Sequence, residues 1–229
     1  MLRVLLLLPL VGLHTLAFAV AGITTGLVDE RHAQGVARAW GRTLLRLLGV
    51  AVELRGQPPP GAAVYASNHV GALDIPILFG WLPADFRVIF KRALALAPMV
   101  GWYLTAAGHL PIDRRNAFNA RRSLDRAAAR LRGGVSVAAF PEGTRRGSRG
   151  LGRFKRGTFV LAIEAQVPVV PVSLSGVAER MPRGLLSFNP GRVRLSLHEP
   201  VPTAGRAAEQ AGLLAEEVRA RVARGLEEA

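Results

Sequence analysis

The chain has 229 residues, no cysteine and a formal net charge of +14, and half of its residues are apolar. A chain of this length forms one domain with an appendage, or at most two small domains. The absence of cysteine excludes disulfides, a thiol nucleophile and thiolate metal sites. The excess of basic residues favours a polyanionic partner, which leaves nucleic acid, an acidic membrane surface and a phosphorylated substrate open.

The first predicted element is an almost wholly apolar helix over residues 4–28. At the helical rise it is roughly 37 Å long, enough to cross a bilayer core of about 30 Å. A cleaved signal peptide fits less well, because the apolar run is long and only Arg3 provides a basic residue before it. Pro9, Gly12 and His14 weaken a straight span. The helix therefore either crosses the bilayer or dips into one leaflet.

Residues 29–50 form a second predicted helix with basic and apolar faces. Arg38, Arg42 and Arg46 follow one another at a spacing of four and share one face, while Trp40 and several leucines occupy much of the rest. Such a helix is typical of a membrane interface, although a surface helix packed on the domain has the same pattern. We favour the interface, and predict that residues 1–55 form a two-helix membrane-associated module.

Beyond the breaker "GQPPPG", short β-like runs alternate with helical ones. Strands are predicted at residues 63–67, 86–90, 135–140, 167–174 and 192–198, and helices at residues 74–82, 117–132, 157–166 and 206–228. This alternation predicts an α/β domain over residues 56–229, with a mixed, largely buried sheet flanked by helices.

His69 and Asp74 lie in the stretch "SNHVGALDIP", directly after a predicted strand. On one continuous helix their side chains would point about 140° apart. If His69 lies in a loop and Asp74 begins the next helix, where Pro76 is tolerated, the carboxylate can accept the imidazole Nδ1–H. The other ring nitrogen is then left as a base. From the pattern alone, a helix-capping Asp74 beside an inert His69 is equally compatible. Ser67 and Asn68 are candidates to support this loop.

The sequence offers little support for a protein nucleophile or a metal. No serine occupies a G-x-S-x-G turn, because "SLSG" at residues 173–176 lacks the first glycine. A covalent acyl-enzyme is therefore poorly supported, and the attacking hydroxyl belongs to the substrate. The five histidines are scattered without metal-ligand spacing, so we predict neither a metal site nor a cofactor.

An anion site is predicted in the stretch "FPEGTRRGSRGLGRFKRGTF", residues 140–159, which joins an apolar strand to a helix. Ligands bind α/β sheets at such junctions. Glycines let backbone N–H groups approach an anion, and arginine binds phosphate through two parallel hydrogen bonds. A solvated basic loop is the plain alternative. The chain retains only two lysines, Lys91 and Lys155, among its thirty basic residues, which marks them as candidate sites for a compact ammonium.

Four stretches, in this order, resemble motifs of the glycerolipid acyltransferase family, which includes 1-acylglycerol-3-phosphate acyltransferases. "NHVGALD" resembles the first motif, N-H-x-x-x-x-D, and "GHLPIDR" the second. "FPEGTR" resembles the third, and "VPVVPVSL" the proline-bearing fourth. The resemblance covers roughly residues 60–175. It implies a glycerol-3-phosphate acyltransferase-like fold whose N-terminal helices hold the enzyme on one leaflet.

The resemblance also implies roles for individual residues. His69 would be the general base and Asp74 its orienting partner. The residues implied to bind the substrate are Lys91, Arg114, Glu142, Gly143, Thr144, Arg145 and Lys155. The implied co-substrate is acyl-CoA or acyl-carrier protein, and the implied location is the cytoplasmic face of the inner membrane.

The leading hypothesis is therefore acyl transfer to the hydroxyl of 1-acylglycerol-3-phosphate, giving phosphatidic acid. A close alternative keeps the reaction and uses another lysolipid acceptor, such as lyso-ornithine lipid. A membrane-bound hydrolase using the same His–Asp pair on water is a third. A basic nucleic-acid-binding module fits less well, because aromatic residues make up only 6% of the chain and do not alternate with the cations.

Overall fold

The computed structural model of the chain describes residues 2–112, 117–147, 149–182 and 187–228. The strands of this part are β1 Val50–Arg55, β2 Val64–Ser67, β3 Phe86–Lys91, β4 Leu110–Ile112, β5 Ser136–Ala139, β6 Val169–Ser175 and β7 Gly191–Leu197. The helices are α1 Leu2–Gly26, α2 Glu30–Leu48, α3 Asp74–Trp81, α4 Val100–Ala106, α5 Ala117–Arg132, α6 Gly157–Ala165, α7 Val177–Arg180 and α8 Ala211–Glu227. A short 3-10 helix, Arg92–Leu96, links β3 to α4.

The strands of the described part form one seven-stranded sheet in the order β1-β7-β6-β2-β5-β3-β4. Neighbouring strands are parallel except β6 and β7, which are antiparallel. The central strand β2 is buried along its whole length, and its alternate side chains enter different cores. Tyr65 joins the core with α2 and α3, whereas Val64 and Ala66 join the core with α5, α6 and α8. The predicted mixed, buried sheet between helices is therefore confirmed.

The elements predicted from apolar runs agree with the structure to within a few residues, except that the last helix begins at Ala211. Strand β1 was not predicted. Residues 50–55 were placed in the N-terminal module, but they pair in parallel with β7 and extend the sheet. The reason is that only Gly49 separates β1 from α2, so the apolar residues Val50, Ala51 and Val52 look like a continuation of the helix. The short helix α4 was also missed.

Helix α1 is the one helix of the described residues that is long and apolar enough to cross a membrane, judged by length and composition. Its span Leu7–Gly26 has a mean hydropathy of 1.8, and only 6% of that stretch is buried. Two polar contacts join α1 to α2. His14 Nε2 lies 2.7 Å from Thr43 Oγ1, and Trp40 Nε1 donates to Thr15 Oγ1 at 3.3 Å.

Helix α2 packs on the domain, so the interpretation of its apolar face as a membrane contact is wrong. Leu44 and Leu48 are buried in the core shared with α3. Two of the arginines on the basic face of α2 donate to backbone carbonyls of the domain. Arg38 bonds Ala84 O at 3.3 Å, and Arg42 bonds Gly80 O at 2.8 Å.

The beginning of α2 is tied to the sheet by ion pairs. Both carboxylate oxygens of Glu30 accept hydrogen bonds from Arg130 at 2.8 Å. Nη2 of Arg87, on β3, lies 3.5 Å from Glu30 Oε2. The bonds from Arg130 are the main cause that lowers the pKa of the Glu30 carboxyl. The helix is therefore fastened to the domain near both ends, at Glu30 and at Leu48.

We predict that Gly41→Ala destabilises the protein by about 1 to 3 kcal/mol, because α2 and α3 touch through backbone at this position. A Cβ on Gly41 would meet the carbonyl oxygen of Pro76 and come within 2.9 Å of Gly80 N. Gly35→Ala on the same helix is the matched control, since its Cβ would have nothing within 4 Å. Thermal unfolding in detergent should leave that control equal to the parent or stabilised by up to about 1 kcal/mol. Equal stability of the two variants would contradict the close packing.

Candidate active site

The His69 and Asp74 side chains meet at the end of β2. His69 Nδ1 lies 2.7 Å from Asp74 Oδ2, and the same oxygen accepts hydrogen bonds from the backbone of Val70 at 2.7 Å and Gly71 at 2.9 Å. The chain turns back here because α3 begins at Asp74 itself. The loop-and-helix arrangement considered from the sequence is the one observed.

This arrangement fixes which imidazole nitrogen is available. A carboxylate oxygen is an acceptor, so it holds the hydrogen on Nδ1 of His69 and leaves Nε2 with its lone pair. The ring of His69 stacks on Phe140, with ring centroids 4.0 Å apart and planes 18° apart. The His69 side chain is 14% exposed and the Asp74 side chain is wholly buried. The pair is therefore an oriented imidazole with its second nitrogen open to a ligand.

The loop that carries His69 is held by the neighbouring strand β6. The amide of Asn68 donates to Leu174 O at 2.9 Å and accepts from Leu174 N at 2.8 Å. Ser67 Oγ donates to Asn68 O at 3.1 Å. Both residues therefore support the loop, as the sequence suggested.

The loop after β5 holds the same segment from the other side. Arg146 N donates to His69 O at 2.8 Å, and Gly147 N donates to Val70 O at 3.0 Å. The carboxylate of Glu142 accepts from His69 N at 2.7 Å and from Gly152 N at 2.8 Å. These contacts join the first and third sequence motifs through backbone groups.

Glu142, which the resemblance assigns to substrate binding, contacts the backbone of the His69 loop. Glu142 is buried, lies outside the cavity lining, and has both carboxylate oxygens bonded to backbone N–H groups. A carboxylate would also repel a phosphate. Glu142 therefore holds the backbone of His69 in place.

A cavity of about 1110 Å³ opens at His69. Lys91, Gly143 and Arg145 line it together with the imidazole. Much of the remaining lining is apolar and comes from β3, α3, α4 and the 3-10 helix, including Phe79, Val88, Phe90, Leu96, Val100 and Leu104. Cations beside a long apolar wall suit a ligand with an anionic head and a hydrocarbon chain.

Three other predicted substrate-binding residues are not seen in the lining of the cavity. Thr144 and Lys155 are exposed and lie outside the lining, although Lys155 N bonds Pro141 O at 2.9 Å. Arg114 lies outside the described residues. Thr158 and Arg92 line the cavity and were not predicted. Thr158 belongs to "FKRGTF", in which only the basic residues were considered as ligands of an anion.

Two other histidines are unsuited to act as the base. His109 is buried, its Nδ1 accepts from Val88 N at 3.2 Å, and burial lowers its pKa to about 3. His198 is bonded to Ser173 at 2.9 Å, and burial lowers its pKa as well. Neither residue lines the cavity. Within the described residues no group of three or more His, Asp or Glu side chains is arranged to hold a metal ion.

The residues that form this site lie within a segment that matches a known protein family. The Acyltransferase family model matches residues 50–175, which is more than half of the chain. The chain belongs to the Acyltransferase family. The resemblance inferred from the four motifs is therefore confirmed.

Named relatives agree with this assignment. The chain is 36% identical over 166 residues to a chloroplastic 1-acyl-sn-glycerol-3-phosphate acyltransferase of Arabidopsis thaliana, covering 72% of this chain and 45% of the relative. It is 36% identical over 177 residues to 1-acyl-sn-glycerol-3-phosphate acyltransferase alpha of Homo sapiens, covering 76% of this chain and 62% of the relative. The chain thus spans about half to two thirds of the length of these relatives.

A solved structure supports the fold. The crystal structure of the 1-acyl-sn-glycerophosphate acyltransferase PlsC from Thermotoga maritima matches with a TM-score of 0.76 and 29% identity. The match covers 96% of this chain and 94% of the other. The expected acyltransferase fold with two N-terminal helices is therefore confirmed.

We predict that Glu142→Gln lowers kcat for acyl transfer at least about tenfold, with little change in KM. The amide nitrogen of Gln is a donor, so one of the two backbone N–H groups loses its acceptor and the His69 loop shifts, and misplaced reacting groups cost rate steeply. Glu164→Gln is the matched control, because Glu164 on α6 pairs with Arg121 on α5 and does not line the cavity. A raised KM for the lysolipid with unchanged kcat would show that Glu142 contacts substrate instead.

Proposed function

We propose that this protein transfers an acyl group from acyl-CoA or acyl-carrier protein to the free hydroxyl of 1-acylglycerol-3-phosphate, giving phosphatidic acid. The observation that carries the proposal is the oriented His69 imidazole at the wall of a cavity that combines cations with an apolar lining. The names of the relatives, which are acyltransferases of this substrate, support the same acceptor.

His69 acts as the general base. Its Nε2 removes the proton from the acceptor hydroxyl as that oxygen attacks the thioester carbonyl, and Asp74 stabilises the imidazolium that forms. Collapse of the tetrahedral intermediate expels the thiolate, which takes the proton back from His69 and leaves as a thiol. The sequence has no cysteine and no serine in a G-x-S-x-G turn, which supports direct passage of the acyl group between the two substrates. Positioned base catalysis contributes a factor of about 10² to 10⁴, and alignment and oxyanion stabilisation supply the rest.

The cations of the cavity bind the phosphate of the acceptor. Lys91 and Arg145 are exposed and line the cavity with His69, so both can bond phosphate oxygens near the reacting hydroxyl. Gly143, with φ of 72°, makes the turn that carries Arg145. Arg114, Thr144 and Lys155 remain assigned to substrate binding by the resemblance alone. The apolar lining accommodates an acyl chain.

The proposed acceptor is a membrane lipid, so the enzyme works at a membrane, and α1 is its anchor. The exposed apolar side chains of α1 are suited to lipid, and the basic residues that follow it favour the cytoplasmic face. Both proposed acyl donors are soluble and reach the enzyme from that side.

The direct test is transfer of a radiolabelled acyl group by the purified protein in detergent. We expect phosphatidate to form from lysophosphatidate faster than any product forms from lysophosphatidylcholine, lysophosphatidylglycerol or lyso-ornithine lipid. Offering acyl-CoA and acyl-carrier protein separately identifies the donor. Preference for lyso-ornithine lipid would overturn the acceptor assignment, and release of free fatty acid at the rate of transfer would indicate a hydrolase.

We predict that His69→Ala lowers kcat by a factor of about 10² to 10⁴, because the base is lost. Asp74→Asn should also lower kcat strongly, since an amide nitrogen can replace the acceptor that orients the ring. His32→Ala on the exposed side of α2 is the matched control and should retain parent activity. Circular dichroism checks that each variant is folded. Near-parent turnover by a folded His69→Ala protein would exclude the mechanism.

We predict that Lys91→Met raises the KM for lysophosphatidate by about tenfold to a hundredfold, the loss expected for one hydrogen bond to a charged group. The KM for the acyl donor should change little. Arg224→Met, which removes an exposed cation from α8, is the control for net charge and should match the parent. An increase confined to the donor KM would reassign Lys91 to donor binding.

A further inference from the structure

The segment 94–102 exposes large apolar side chains at the surface. Leu94 is 45% exposed, Leu96 85%, Val100 53% and Trp102 56%. Single exposed apolar residues are ordinary on a soluble protein, but several large ones within nine residues mark a contact surface. This cluster lies in the 3-10 helix that follows β3 and in the start of α4.

The cluster adjoins the lipid-suited helix α1. Gly22 of α1 lies against the ring of Tyr103, and Gly26 lies against the backbone of Ala106, with no room for a side chain at either position. Trp102 directly precedes Tyr103, so the exposed cluster ends where α4 packs on α1. The exposed apolar surface of α1 thus has a neighbour of the same character on the catalytic domain.

The same residues form part of the cavity wall. Leu94, Leu96 and Val100 line the cavity that contains His69, and each is also strongly exposed. Residues that line a cavity and face the outside border its opening. The cavity therefore opens beside the apolar cluster.

Charge and side-chain type indicate what the cluster contacts. Lys91 and Arg92 immediately precede it, and both are exposed. A segment that combines basic residues with exposed leucine, valine and tryptophan is typical of the boundary between headgroups and acyl chains. Basic residues bordering an apolar surface bind bilayers that contain anionic lipid.

We infer that residues 92–102 are a second membrane contact, which inserts into an anionic bilayer beside α1 and opens the cavity to the lipid side. The membrane contact stands on the exposure, charge and packing of this segment. The entry of the acceptor from the leaflet rests on the proposed function.

Trp102 provides a direct test in the full chain. With Trp40→Phe and Trp81→Phe, it is the remaining tryptophan. In vesicles of phosphatidylcholine and phosphatidylglycerol its emission should shift to the blue, and phospholipids brominated on the acyl chains should quench it. The matched control carries Leu213→Trp in a chain whose three native tryptophans are Phe, because Leu213 is 71% exposed on α8. That control should be quenched by aqueous iodide and not by brominated lipid.

Two outcomes would overturn the inference. In one, Trp102 in vesicles remains accessible to iodide and insensitive to brominated lipid. In the other, Trp102 is shielded from iodide in detergent as concentration rises and is never quenched by lipid, which assigns the cluster to contact between two copies of the chain. Neither measurement depends on catalysis, so a failure of the proposed function leaves this test intact.

The consequence for substrate entry is tested by Trp102→Asp, since Trp102 lies outside the cavity lining. Transfer to lysophosphatidate in vesicles should fall about tenfold, the change expected when one large apolar side chain loses its burial. Transfer to the same lipid dispersed in detergent should be unchanged. Leu213→Asp should be unchanged in both. Equal loss in vesicles and detergent, or no loss in either, would refute entry beside this segment.

Discussion

The site depends on one buried carboxylate oxygen. Asp74 Oδ2 accepts hydrogen bonds from the backbone of Val70 and Gly71 and from the ring of His69. A carboxylate is costly to bury unless it is hydrogen-bonded, and these donors exist only when the chain after β2 turns back on the start of α3. The same carboxylate oxygen therefore both stabilises the turn and orients the imidazole. Folding this loop correctly already orients the base.

Sheet topology explains why this turn has support on both sides. Strand β2 lies between β5 and β6 and is parallel to both, so the carboxyl ends of all three strands lie at one edge of the sheet. Asn68 reaches Leu174 near the end of β6, and Glu142 after β5 reaches the backbone of His69. Motifs more than 70 residues apart in sequence thereby share one hydrogen-bonded loop. Ligand sites of α/β proteins form at such edges for this reason.

The sequence predicts those parts of the molecule in which a local pattern of residues is compatible with only one structure. Apolar runs gave the buried strands, and the spacing of His69 and Asp74 gave a loop followed by a helix start. The pattern was ambiguous for α2, because an apolar helical stripe is the same whether Leu44 and Leu48 meet lipid or protein, and packing against α3 decided it. Strand β1 was missed because only Gly49 separates its apolar residues from those of α2. Glu142 was found through its motif, but its bonds to the backbone of His69 and Gly152 could not be predicted, because a sequence does not show which backbone groups meet a carboxylate.

Helix α2 connects the lipid-suited helix α1 to the catalytic sheet, and only Gly49 separates it from β1. Its contacts with α1 at Thr43 and Trp40 lie between its attachments to the domain, at Glu30 on one end and at the buried Leu48 on the other. Gly49, with φ of 73°, ends α2 and the chain passes directly into β1. The direction of α1 relative to the sheet is consequently set by packed contacts. If α1 lies in a bilayer, the same contacts determine how far His69 stands from the lipid surface, so membrane attachment and the approach of the substrate hydroxyl are geometrically linked.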